Sequence, residues 1–229
     1  MSEGMTLRNT TEPRIYLMES TAMLENYKKD EFGVISQIEI GQKTNYDKKY
    51  IADRYQKYPE KCEQMAHLRL GFIIGAIGHI PTSILDVGYG SGEFLDVAQK
   101  IIPHCFGNDI TGILPPTNVK FVEDIFSIGV DVVTFFDVLE HFENPAETIK
   151  NLNCRYVVIS VPHCHYFSDK WFESWKHRRV DEHLHHFKTS SLIAMMRSCD
   201  FLPIIETCIE DVIRKDGSRN ILSMVFARI

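Results

Sequence analysis

The stretch ILDVGYGSGEF, residues 84–94, sets a short apolar run against a turn with glycine at every second position, Gly88, Gly90 and Gly92. Ile84, Leu85 and Val87 make a strand of the kind buried on both faces of a parallel sheet. The glycines admit positive φ and leave no Cβ between the backbone and a ligand. Beyond the turn, Phe94, Leu95, Ala98, Ile101 and Ile102 fall on one face of a helix predicted over 92–102. A strand, a glycine turn and a helix in that order suit a nucleotide-like ligand, because backbone N–H groups and the helix N-terminus point at it.

Outward from this corner the chain alternates. Strands are predicted at 84–87, 104–109, 119–122, 131–136, 156–161, 202–209 and 221–227, and helices at 145–152 and 190–199. A long helix over 60–80 precedes them, with Leu68, Phe72, Ile73 and Ala76 as its buried face. The pattern is that of an α/β fold, a mostly parallel sheet with helices on both faces. GILPPT at 112–117 is too short for a connecting helix, so a loop is expected there. The last two strands have no clear helix between them and fit an antiparallel hairpin turning near Lys215-Asp216-Gly217. The tyrosine-rich NYDKKYIADRYQKYP, 45–59, reads as a helix punctuated by Pro59. Residues 1–45 are polar and aperiodic, an N-terminal extension or lid, and residues 46–229 form the main domain.

With 229 residues, 44% of them hydrophobic, the chain can bury one large core. Its 25 basic and 31 acidic residues leave a net charge of −6, which argues against a nucleic-acid partner. The apolar run 70–80 is too short for a transmembrane segment, and MSEGMTLRNT lacks the apolar stretch of a secretory signal. Six scattered cysteines without a C-x-x-C pair fit reduced thiols in a cytoplasmic protein. Nothing in the sequence sets an oligomeric state.

Three acids fall at predicted strand ends behind the glycine turn. Asp109, about 20 residues on, is placed to reach ribose hydroxyls. Asp124 follows VKFV and can accept from an adenine amino group, and Asp137 closes the fourth strand. The glycine spacing departs from G-x-G-x-x-G, the dinucleotide fingerprint, which argues against an NAD-dependent oxidoreductase. Glu93 near the helix start repels a diphosphate but not a cationic sulfonium with an amino-acid tail. Asp86, inside the strand, suits a ligand with an ammonium group.

These motifs resemble class I S-adenosylmethionine-dependent methyltransferases. ILDVGYGSG matches their first motif, and DVVTFFDVLEHFENP at 131–145 matches the branch whose fourth strand ends in a D-V-L-E-H-type motif. LRLGFI at 68–73 is similar to the helix before the sheet in ubiquinone-pathway O-methyltransferases. The resemblance spans roughly residues 46 to 205. It implies a Rossmann-like, seven-stranded, mostly parallel sheet with an antiparallel last strand, S-adenosyl-L-methionine as cofactor, and 46–229 as the methyltransferase domain. By position, Arg69 would contact the cofactor carboxylate and Gly88 would lie under its amino-acid portion. Asp109 would bind the ribose, Asp124 with Ile125 would frame the adenine, and Phe136 would line the adenine or methionine side. Asp86, Gly90, Gly92 and Asp137 complete the expected cofactor site. The short GILPPT connection and the first 45 residues depart from the pattern, so the lid and substrate pocket are left open.

Methyl transfer from a sulfonium needs alignment, plus a base where the acceptor is a hydroxyl. Two clusters could supply it. If the segment after the fourth strand is helical, Asp137, Glu140 and His141 share a face and could hold a divalent cation; similar positions in the ubiquinone-pathway enzymes are associated with magnesium. The favoured alternative is that Glu140 and His141 anchor the helix start. The second cluster is WKHRRVDEHLHHF, 175–187, with His177, His183, His185 and His186, and with His163 and His165 upstream. Its E-H-L-H-H-F string resembles an H-x-x-x-F segment of small-molecule methyltransferases, and His183 and His186 are the candidate catalytic bases. A hydrogen-bonding clasp is the plainer role for any one of them, and a zinc pattern is absent. Trp171 and Trp175 lie among bases that could stack on or bind a flat or anionic group, and Tyr46, Tyr50 and Tyr55 could belong to a lid. The expected activity is methyl transfer to a small-molecule acceptor, at a hydroxyl oxygen. The rivals are a non-catalytic cofactor-binding subunit and a protein or RNA methyltransferase.

Overall fold

The computed structural model describes residues 25–42, 46–47, 58–215, 217 and 219–229. The expected tyrosine-rich helix, with Tyr50 and Tyr55, lies mostly outside the described residues, as does Asp216. In chain order the elements are β1 (Tyr27–Lys29), β2 (Ile35–Gln37), α1 (Pro59–Ile77), β3 (Ser83–Val87), α2 (Glu93–Ala98), β4 (His104–Asn108), β5 (Lys120–Phe121) and β6 (Gly129–Phe136). Then come α3 (Pro145–Asn151), β7 (Asn153–Pro162), α4 (Asp169–Ser174), β8 (His185–His186), α5 (Thr189–Ser198), β9 (Phe201–Thr207), α6 (Asp211–Arg214) and β10 (Ile221–Arg228). The main sheet has seven strands in the order β5-β4-β3-β6-β7-β10-β9. It is parallel except for β10, which inserts antiparallel between β7 and β9. This is the α/β sheet that the alternation implied, with the seven strands and Rossmann-like order that the resemblance implied.

Period-two alternation explains why β3 reads as continuously apolar. Ile84 points to the face covered by Ala66, Leu70, Ile73 and Leu95 of α1 and α2. Leu85 and Val87 point to the other face, with Ile149 of α3 and Leu192 and Met196 of α5. Asp86 therefore falls on the α1 side. Because β4 lies on one flank of β3 and β6 on the other, the strand order reverses there and opens a crevice at the carboxyl ends.

Several expected boundaries move. α1 starts at Pro59 and stops at Gly78, whose φ of 78° caps the helix with an N–H bond to Ile74 O. Its buried stripe is Ala66, Leu70 and Ile73, spaced i, i+4, i+7, while Leu68, Phe72 and Ala76 are only half-buried beside it. α2 unwinds after Ala98, so Ile101 turns outward at 45% exposure whereas Ile102 stays in the core. β5 shrinks to two residues, and the 112–117 connection is a loop, as its length required. The last two strands do pair antiparallel, but α6 replaces the tight hairpin between them.

A second sheet carries no periodic signal in the residues that form it. β1 and β2 form a hairpin whose inner strand pairs with β8, Ile35 opposite His186 and Ser36 opposite His185. Among the described residues no helix is long and apolar enough to cross a membrane.

Candidate active site

A cavity of about 450 Å³ opens at the carboxyl ends of β3 and β6, a size usual for small-molecule sites. Arg69, Asp86, Gly88, Phe136 and Asp137 form one part of its wall, and Glu140, His141 and His183 another. Gly88 has φ 71°, and a Cβ there would lie 2.5 Å from Val138 Cγ2, so only glycine lets the two strand ends approach this closely.

Arg69 donates from Nε to Glu210 Oε1 at 2.8 Å and from Nη2 to Oε2 at 3.0 Å. The guanidinium lies 4.1 Å from the Phe136 ring centre, and Nη2 is 3.4 Å from Asp137 Oδ2. Arg214 donates to both Glu210 and Asp137. Burial alone would raise the Glu210 carboxyl, but Arg69 and Arg214 hold it down at about 2. Neither Glu210 nor Arg214 was picked out from the sequence. The available signal was their i, i+4 spacing in IEDVIR, which only a helix turns into a pair.

Asp86 is 3% exposed and accepts a hydrogen bond from Thr134 Oγ1 at 2.6 Å. Burial lifts its carboxyl to about 7, against the opposing pull of Thr134 and Arg69.

The segment after β6 is not the expected helix. Asp137 takes a left-handed φ of 58°, and Leu139–His141 form one 3₁₀ turn. That geometry separates the expected trio: Asp137 turns to the arginines, while Glu140 and His141 turn to His183. Their nearest ligand atoms all lie within 4.8 Å of one another. Glu140 is 1% exposed, and neither carboxyl oxygen has a hydrogen bond among the described residues. Burial, and then the Asp137 charge, raise this group well above its ordinary value. His141 Nδ1 is 2.7 Å from the Glu182 carbonyl and 2.9 Å from the Tyr46 hydroxyl. The His183 ring stands edge-on to His141, centres 4.8 Å apart, and its Nδ1 has no partner among the described residues. Burial, then the His141 ring and Arg179, bring it down to about 2, so the ring is neutral.

The remaining expected residues lie off this wall. Asp109 turns both oxygens to backbone, accepting from Gly90 N–H and Thr111 N–H at 2.7 Å each. Asp124 is exposed and accepts from Phe126 N–H at 3.0 Å, and Ile125 is packed in the core. Gly90 and Gly92, both at positive φ, are likewise absent from the lining. His186 is 2% exposed and sits among Tyr27, Phe172 and Trp175, with ring centres 5.7, 5.0 and 5.6 Å away. The two candidate histidines are thus separated, one on the wall and one in an aromatic cluster. Trp171 stacks on Trp175 at 5.4 Å and packs against that cluster, not on the cavity.

A family model described as a methyltransferase domain matches residues 44–204, well over half of the chain. The chain belongs to that family. No curated protein matches the sequence. Among solved structures, the methyltransferase domain is similar to the 1,6-didemethyltoxoflavin-N1-methyltransferase of Burkholderia thailandensis, at 14% identity and a TM-score of 0.56 over 89% of this chain and 99% of that one. It is similar to the magnesium protoporphyrin IX methyltransferase of Synechocystis PCC 6803, at 15% identity and 0.54 over 82% and 90%. A plantazolicin methyltransferase matches at 17% identity and 0.55 over 80% and 90%. At these identities the likeness concerns the fold of the methyltransferase, and all three of those structures hold S-adenosylhomocysteine.

Proposed function

We propose that this methyltransferase moves a methyl group from S-adenosylmethionine to a hydroxyl oxygen of a small molecule. One observation carries the reading: a single cavity has two chemically different walls. Arg69 offers a guanidinium to a carboxylate, Asp86 offers a carboxyl to an ammonium group, and the Gly88 turn leaves room between them. That set suits the amino-acid end of the cofactor. Both Glu140 carboxyl oxygens and His183 Nδ1 are buried on the opposite wall without a hydrogen-bond partner among the described residues, which suits an acceptor O–H that must give up its proton.

The other cofactor assignments extend from this end. Each oxygen of Asp109 has a second lone pair, so it can accept ribose hydroxyls without releasing Gly90 or Thr111. Asp124 and Ile125 are the proposed adenine edge, and Phe136 the methionine side. Relatives of this fold named for a toxoflavin precursor and for magnesium protoporphyrin support a small acceptor. The likeness of LRLGFI to the helix before the sheet in ubiquinone-pathway O-methyltransferases supports oxygen as the acceptor atom.

The test has two arms. Calorimetry with S-adenosylhomocysteine should show one saturable site per chain. Methyl-labelled cofactor incubated with a metabolite extract should put label into acid-soluble, alkali-stable products. Absence of cofactor binding would remove the reading altogether. Label confined to acid-precipitable material would transfer it to a protein or RNA acceptor.

A further inference from the structure

Glu140 is buried with a carboxyl group that no described residue hydrogen-bonds. Native proteins rarely leave such a group without a partner. His183 shares the condition at Nδ1, which is buried without a partner among the described residues. The Glu182 carbonyl can only accept, so the His141 proton sits on Nδ1, which faces it at 2.7 Å. His141 Nε2 therefore keeps its lone pair, 3.9 Å from Glu140 Oε1. His183 Nε2 lies 4.0 Å from Glu182 Oε1, too far for a hydrogen bond. One ligand atom from each of Glu140, His141 and His183 thus lies within 4.8 Å of the other two.

We propose that Glu140, His141 and His183 bind one divalent transition-metal ion on the cavity wall. Two imidazoles and one carboxylate form a donor set for zinc, cobalt or manganese, whereas magnesium favours all-oxygen sites. Atoms within 4.8 Å of one another need only a small side-chain closure to ligate at about 2.0–2.2 Å. The supporting groups are already in place. The Glu182 carbonyl fixes the His141 tautomer, and Arg179 holds the Glu182 carboxylate at 2.7 Å. Asp137 takes no part, being engaged by Arg69 and Arg214. The third ligand comes instead from His183, on the segment that leads into β8. Three protein ligands leave coordination positions open toward the cavity, where an ion would acidify a bound hydroxyl. That use of the ion rests on the methyltransferase reading, but the binding does not.

The full chain, treated with chelator and free of cofactor and acceptor, is titrated with Co²⁺ and read by visible absorption, with elemental analysis after Zn²⁺ loading. The expected result is one ion per chain and a cobalt d–d spectrum that excess Mg²⁺ does not abolish. Glu140→Gln and His183→Ala should each weaken binding by at least the roughly 10–100-fold that second-shell changes cost. His79→Ala, at an exposed ring hydrogen-bonded to Ile77 O and away from the cavity wall, should bind as the parent does. Should a variant fail to fold, Co²⁺-shifted imidazole signals from two histidines of the parent chain carry the same information. Lack of stoichiometric cobalt binding, or binding that both ligand variants leave unchanged, overturns the proposal. Calorimetry with S-adenosylhomocysteine on the metal-free chain tests the cofactor reading independently.

Discussion

Arg69 and Glu210 meet as a two-point ion pair, Nε to Oε1 at 2.8 Å and Nη2 to Oε2 at 3.0 Å, joining the helix before the sheet to the crossover before its last strand. The guanidinium assigned to the cofactor carboxylate is therefore oriented by a carboxylate of the chain itself. Glu210 ionises near 2 in the fold, below its ordinary 4.5. Its stabilisation is thus complete above pH about 4.5 and is lost as pH falls toward 2. Glu210→Gln should cost about 3 kcal/mol at pH 7, since it leaves two arginines facing a neutral amide in a buried network. Urea midpoints across pH 2–7 check this. The parent should lose stability steeply below pH 4.5 and the variant less so; matching acid limbs would refute it.

Asp86 carries the opposite sign. Its carboxyl sits at about 7 in the fold against 3.8 unfolded, so stability is greatest below 3.8 and is lost as pH rises through 7. Asp86→Asn keeps an acceptor for Thr134 Oγ1 and removes the buried charge. It should raise the stability of the ligand-free chain at pH 8 by about 2–4 kcal/mol. The same change should weaken cofactor binding by about 1.5–3 kcal/mol, the worth of a hydrogen bond to a charged group. In the parent chain, calorimetric affinity should climb from pH 6 to 8 and then level off. A flat profile would separate Asp86 from the ammonium group.

Much of the fold was legible because its signals are local. The two-faced burial of Ile84 and Leu85 and the positive φ at Gly88 follow from residue type and spacing over a few positions. The site was less legible because long-range pairing assembles it. Arg69 and Glu210 are 141 residues apart, and no periodicity joins them. Asp137 looked equivalent to Glu140 and His141 until a φ of 58° turned it to the arginines. β1 and β2 have three residues each, too few to show a period, and take their place from pairing with β8.

That pairing separates the two candidate histidines. With His186 opposite Ile35 and among Tyr27, Phe172 and Trp175, its ring is packing, whereas His183 reaches the cavity. His186→Ala should lower stability by about 2 kcal/mol, the low end for emptying a buried site of this size, with cofactor affinity unchanged. His183→Ala should cut turnover at least 10-fold, about 1.4 kcal/mol in the barrier, again with cofactor affinity unchanged. Stopped-flow turnover beside urea unfolding distinguishes them. Equal turnover losses in two folded variants would contradict the assignment.

The hairpin holds the histidine segment through Asp181 as well as through the β2–β8 ladder. Asp181 Oδ1 accepts from Gln37 Nε2 at 2.6 Å and from Gly41 N–H at 2.9 Å, and the Asp181 N–H donates to Gln37 Oε1 at 2.9 Å. Gln37 N–H reaches the Leu184 carbonyl at 2.8 Å, so the link ends one residue from His183. Asp181→Ala removes the shared acceptor at a residue whose φ of 65° already disfavours alanine. It should cost about 1–3 kcal/mol locally and speed amide exchange across 183–187. Asp181→Asn keeps an acceptor oxygen and tolerates that φ, so it should restore protection. Because the hairpin positions His183 and leaves Arg69 and Asp86 untouched, Asp181→Ala should lower turnover more than cofactor affinity. Exchange mass spectrometry with calorimetry reads both, and unchanged protection at 183–187 would mean the ladder alone holds the segment.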